Sequence, residues 1–63
     1  MSDEIKVRTK SGKIYYIVER GGYFYVKKPS WMPGRDNVGS ARSTKEAAIL
    51  IELDAGEKIK SFD

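Results

Sequence analysis

A chain of 63 residues, 40% of them hydrophobic and 33% charged, has the composition of one small soluble globular domain. Its core must be thin, because a chain this short buries only about 60% of the surface its unfolded form exposes. The sequence has no cysteine and no histidine, which removes disulfides, thiolate metal sites and the commonest general base and metal ligand.

No apolar run approaches the ~20 residues of a membrane span, and Met1-Ser2-Asp3-Glu4 is acidic where a secretory signal is basic and then apolar. The expectation is therefore a cytoplasmic protein that neither spans nor anchors to a membrane. Twelve Lys and Arg against nine Asp and Glu leave a net charge of +3 and a pI near 9.3, a mildly basic balance that leans toward an acidic partner.

Glu4 to Thr9 alternates so that Ile5 and Val7 point one way and Lys6 and Arg8 the other, the period of a half-buried strand. Lys10-Ser11-Gly12 turns the chain. Lys13 to Arg20 is rich in β-branched and aromatic residues, Gly21-Gly22 is a hairpin signal, and Tyr23 to Lys28 repeats the same chemistry. The loop Pro29 to Asn37 follows, then a short strand candidate at Val38 to Arg42. Ser43 with Glu46 three residues on forms a capping box, in which Ser43 caps the first N–H groups and Glu46 reaches back to the cap's own N–H. It opens a helix from about Thr44 to Ala55, and Gly56 is placed to end it in the left-handed conformation. The tail Glu57 to Asp63 alternates weakly through Ile59 and Phe62, as an edge strand or a segment tucked on the core. The fold class is α+β: a three-stranded antiparallel meander, open to extension by a short fourth strand and a C-terminal edge strand, packed on one face by a single α-helix.

Turn chemistry assigns the faces. Either a two- or a four-residue loop around Gly21-Gly22 pairs Glu19 with Phe24 and puts Tyr15, Ile17, Phe24 and Val26 on one side. A three-residue Lys10-Ser11-Gly12 loop with Gly12 left-handed places Val7 opposite Tyr15 and Ile5 opposite Ile17, whereas a two-residue loop flips strand 1. On the three-residue reading the helix covers Ile5, Val7, Tyr15, Ile17, Phe24 and Val26 with Ala47, Leu50 and Ile51. The opposite face then carries Lys6, Arg8, Ile14, Tyr16, Val18, Tyr23, Tyr25 and Lys27.

Lys6, Arg8, Tyr16, Arg20, Tyr23, Tyr25 and Lys27 together form a candidate binding face, since rings stack on bases and cations neutralise phosphates. Tyr is also favoured in strands, and Lys or Arg on an open face is an ordinary guard against aggregation. Ile14 and Val18 on the same face add apolar area that a merely solvated face does not need. Trp31 and Arg35 in the loop after Pro29 are further candidates, being of the residue types that dominate binding hot spots; alternatively Trp31 lids the small core. Ile49, Leu50, Ile51 and Leu53 make the helix apolar over much of its circumference, with Lys45 and Glu52 marking the solvent side, so part of it is a candidate dimer surface.

The carboxylates form no recognisable acid–base pair, and the glycines form no phosphate-binding fingerprint at a helix start. The expectation is a non-enzymatic module with no cofactor, metal or small-molecule substrate. Its partner is DNA or RNA on the open sheet face, or else another protein or a second copy on that face and Trp31.

The run Gly39-Ser40-Ala41-Arg42-Ser43-Thr44-Lys45-Glu46-Ala47-Ala48, following three strands, resembles the AP2-type plant DNA-binding domain and the related N-terminal arm-binding domain of phage integrases. The likeness covers roughly Tyr15 to Leu53 in layout. It implies a sheet face that enters the DNA major groove, with Lys6, Arg8, Tyr16, Tyr23, Tyr25 and Lys27 as the counterparts of the contacting residues by position on the sheet.

Overall fold

A computed structural model describes residues 3–30 and 34–62. Its strands are β1 (Asp3–Thr9), β2 (Ile14–Arg20), β3 (Tyr23–Pro29), β4 (Arg35–Ala41) and β5 (Ile59–Phe62), and its helix is α1 (Thr44–Ala55). The strands form one antiparallel sheet in the order β4-β3-β2-β1-β5. The protein is thus α+β, as its sequence implies, with a sheet of five strands rather than a bare meander. The fourth strand is not short. It runs seven residues from Arg35, so the last three residues of the segment expected as a loop, Arg35 to Asn37, are strand, and Arg35 belongs to the sheet. Pro29 ends β3 opposite Arg35, at a strand end where a missing N–H interrupts little of the ladder.

The turns set the register. Gly21 and Gly22 have φ of 59° and 85°, the two positive values that a two-residue hairpin loop demands, and Arg20 pairs with Tyr23 across it. At the first turn Gly12 has φ 96°, its N–H donates to the Thr9 carbonyl at 3.0 Å, and the Thr9 N–H donates to the Lys13 carbonyl at 2.9 Å. This is the three-residue loop. Val7 faces Tyr15 and Ile5 faces Ile17 in consequence.

The Ser43 hydroxyl accepts from the Glu46 N–H at 3.1 Å, so the cap stands where the sequence puts it. Glu46, however, accepts from the Arg42 N–H at 3.1 Å, one residue before the cap, instead of from Ser43's own N–H. Gly56, at φ 72° and ψ 22°, closes the helix and donates to the Glu52 carbonyl at 2.9 Å. Replacing Ser43 with Ala is expected to destabilise the protein by about 1 kcal/mol, the usual worth of a serine cap. A thermal melt checks it, and an unchanged midpoint would remove the cap from the account of stability.

The helix lies on one sheet face, and the core is Val7, Tyr15, Ile17, Val26 and Ala41 against Ala47, Ile51 and Ala55. Ile5, Phe24, Val38, Leu50 and Ile59 pack around it half-buried. Phe24, expected to be as deep as Ile17, is less so because its partner across β4 is the small Ala41. Thr9 is fully buried, and its hydroxyl accepts the Lys13 N–H at 3.0 Å, so no polar cost is left there.

A β-bulge in β4 completes the layout. Val26 pairs with Gly39 but Lys27 pairs with Asn37, so Val38 is the extra residue. Gly39 sits beneath Leu50, where a Cβ would lie 3.4 Å from the Leu50 Cδ1, and the bulge lets Val38 join the core as well. On the far side of the helix, Ile49 and Leu53 stand 48% and 75% exposed, on the pole opposite Ala47, Ile51 and Ala55. The solvent pole is therefore apolar, flanked by Lys45, which is exposed, and Glu52, which is half-buried.

Candidate functional site

No described element packs on the sheet face opposite α1. Alternation along the strands puts Glu4, Lys6 and Arg8 of β1, Ile14, Tyr16, Val18 and Arg20 of β2, and Tyr23, Tyr25 and Lys27 of β3 on it. Cross-strand pairing arranges them in rows: Glu4–Val18–Tyr25–Ser40, Lys6–Tyr16–Lys27–Asn37, and Arg20–Tyr23 at the hairpin end. The bulge at Val38 matters here. Without it Val38 would oppose Lys27, and Asn37 and Arg35 would point to the helix side.

Arg35 reaches inward from the sheet edge. Its guanidinium lies 3.9 Å from the centroid of the Tyr16 ring, a cation–π contact, and donates to the Glu4 carboxylate two strands beyond β3. Beside it, Val18, Arg20, Tyr25, Lys27, Arg35 and Asn37 line a shallow depression of about 310 Å3. An apolar floor, a phenol ring, three cations and one amide suit a ligand with a flat ring and a negative charge.

The charge is segregated. Lys6, Arg8, Arg20, Lys27 and Arg35 share this face with a single acid among the described residues, Glu4, while Glu46, Glu52, Asp54 and Glu57 sit on the helix side or beyond it. A net charge of +3 therefore understates the field over the sheet. The rings differ in availability: Tyr23 is 43% exposed, Tyr25 and Tyr16 are half-buried, and Tyr16 has Arg35 on its face.

The residues proposed from sequence thus fall into place unevenly. Lys6, Arg8, Tyr16, Arg20, Tyr23, Tyr25 and Lys27 share one surface, and Arg35 joins them from a strand instead of the loop. Trp31 lies outside the described residues. Glu4, Val18, Ser40 and Asn37 complete the surface; the alternation of β1 and β2 already signalled the first two, whereas the parity of Asn37 depends on the bulge.

A second polar cluster sits at the C-terminal end of α1. The Tyr15 hydroxyl donates to Asp54 at 2.6 Å, Lys28 pairs with the same carboxylate oxygen at 3.1 Å, and the Lys13 ammonium donates to the Ala55 carbonyl at 3.1 Å. Burial first, and then the bond to Asp54, push the Tyr15 phenol from 10.0 up to about 12. The Tyr15 hydroxyl and then Lys28 hold Asp54 below its ordinary 3.8. Nearby, the Ser11 hydroxyl and then Thr9 pull Glu57 down to about 2. These bonds clamp the helix end to the sheet, and every carboxylate in them has a structural partner.

The Tyr15 shift has a definite sign. Its bond stabilises the protein fully below pH 10, and the benefit is lost as pH rises toward 12. Denaturation midpoints are expected to fall more steeply over that window in the wild type than in Tyr15→Phe, since contributions from other groups are common to both. Parallel curves would remove Tyr15 from the alkaline limb.

Among the described residues no group of His, Cys, Asp and Glu is placed to hold a metal ion, and no helix is long and apolar enough to cross a membrane. Set against protein-family models, curated proteins and solved structures, the chain finds no match in any of the three.

Proposed function

We propose that the protein is a binding module that holds single-stranded nucleic acid on the uncovered sheet face. The observation that carries the reading is that Lys6, Arg8, Arg20, Lys27 and Arg35 share one sheet face with Tyr16, Tyr23 and Tyr25, Arg20, Lys27 and Arg35 lining one depression with Tyr25, while most of the acids lie elsewhere. Phosphates neutralise such cations, and bases stack on the rings.

Sheet width favours a single strand over insertion into a duplex. At ~4.8 Å per strand, the five strands span about 19 Å, against a major groove roughly 12 Å wide that admits a helix or a two-stranded ribbon. A broad open sheet suits unstacked bases splayed across it.

The test is a titration of labelled single-stranded and duplex oligonucleotides at several salt concentrations. Single strands are expected to bind more tightly, with log K falling linearly in log salt at about 0.7 per phosphate neutralised. No affinity for either at low salt would sink the reading.

A second reading has its own observation. Ile49 and Leu53 expose an apolar pair on the outer pole of α1, where a second copy of the chain can bury them. Concentration-dependent self-association without nucleic-acid affinity would favour it.

A further inference from the structure

We propose that the Glu4 carboxylate occupies the place at Arg35 that a backbone phosphate takes when nucleic acid binds, so that binding proceeds by exchange of one anion for the other. The proposal rests on the reading of the sheet face as a nucleic-acid surface, and it concerns how that face is held when empty.

Arg35 starts the edge strand β4 and Glu4 lies on β1, with β3 and β2 between them. For the two to meet, the arginine has to lie across the sheet rather than extend into solvent. It is held from two sides, by the Tyr16 ring under the guanidinium and by the Glu4 carboxylate at its tip. Glu4 has Lys6 two residues along on the same face, yet its partner is the arginine from the far edge. A planar guanidinium accepts a carboxylate and a phosphate in the same fork, so the two anions compete for one set of donors.

The pair is open to exchange. Both side chains are 40% exposed, and exposed ion pairs bias an equilibrium by about two- to fivefold at most, which a neighbouring cation can outweigh. That neighbour is Lys27, which lines the same depression as Arg35 and Asn37. A phosphate seated there meets both cations and the amide, whereas Glu4 is tied to its own strand. Glu4 is also the one described acid on a face otherwise cationic, so its removal frees an anion position without adding a cation.

The experiment measures binding of a labelled, mixed-sequence single-stranded oligodeoxynucleotide to the wild type, Glu4→Gln, Arg35→Gln, the double variant, and Glu19→Gln. Glu19 is exposed and lies off this face, so it reports the general effect of losing one negative charge. Glu4→Gln is expected to bind about two- to fivefold tighter than the wild type, and more tightly than Glu19→Gln. On the Arg35→Gln background the gain should shrink to the Glu19→Gln level. Equal gains in Glu4→Gln and Glu19→Gln, or a gain that survives without Arg35, overturn the exchange.

Inorganic pyrophosphate, followed by the NMR signals of the Arg35 Nε–H and the Tyr16 ring, separates the two ideas. If the oligonucleotide fails to bind the wild type, the nucleic-acid reading falls. The exchange then stands only if pyrophosphate moves these signals at lower concentration in Glu4→Gln than in the wild type. Equal midpoints, or signals that do not move, overturn it.

Discussion

Replacing Ile17 or Ile51 with Ala is expected to remove most of the protein's stability. Ile17 is 1% exposed and Ile51 0%, and both belong to the one buried cluster between sheet and helix that the described residues contain. Truncating a buried isoleucine to alanine costs about 2–5 kcal/mol, because transfer free energy is lost and the cavity only partly collapses. A domain of this length has roughly 3–9 kcal/mol to lose, at 0.05–0.15 kcal/mol per residue. Urea denaturation of each variant measures the loss. Leu53→Ala, 75% exposed on the same helix, is the contrast and should move stability by no more than about 0.5 kcal/mol. A small loss at Ile51, or a large concentration-dependent one at Leu53, would mean that the helix buries its other side.

The second large effect concerns the sheet face. Reversing charge at Arg20 and Lys27 together is expected to weaken single-strand binding by about tenfold or more per site at low salt and to lower the salt slope by about 0.7 for each phosphate left without its cation. Both side chains line the depression beside Tyr25, and among the described residues neither is paired with an acid. Tyr25→Ala should cost about 1–3 kcal/mol against single strands and less against duplex, since stacking needs unpaired bases. Lys45→Glu on the exposed side of α1 is the control and should change little. If Lys45→Glu weakens binding as much as the sheet reversals, the nucleic acid binds at the helix.

Much of the frame was legible because turn chemistry and period-two alternation act locally. Gly21-Gly22 admits the positive φ values of a two-residue loop, and Gly12 admits the one that a three-residue loop needs, so the registers of β1, β2 and β3 follow from a few residues. Those registers assign Val7, Tyr15, Ile17 and Val26 to the core and Lys6, Arg8, Tyr16, Tyr23, Tyr25 and Lys27 to the open face. The Ser43 cap and the Gly56 stop are equally local, and the helix bounds agree with them.

The differences lie where the outcome depended on a neighbour distant in the chain. Arg35-Asp36-Asn37 has the composition of a loop, and it becomes strand because β3 supplies a ladder of hydrogen-bonding partners that intrinsic preference cannot anticipate. The bulge at Val38 lies beside Gly39, which sits beneath Leu50 of the helix, and it turns Asn37 and Arg35 toward the open face. Phe24 loses depth because Ala41 is its partner. Ile49 and Leu53 belong to a helix apolar nearly all round, so only the docking of Ala47, Ile51 and Ala55 on the sheet decided which apolar residues remain in solvent. Local sequence determined the turns, the caps and the alternation of β1 to β3, since each depends on φ preferences and neighbouring hydrogen bonds within a few residues. The parity of β4, the reach of Arg35 across to Tyr16 and Glu4, and the exposed pole of α1 were decided by tertiary packing, because each is set by side chains that meet only after the sheet and helix have come together.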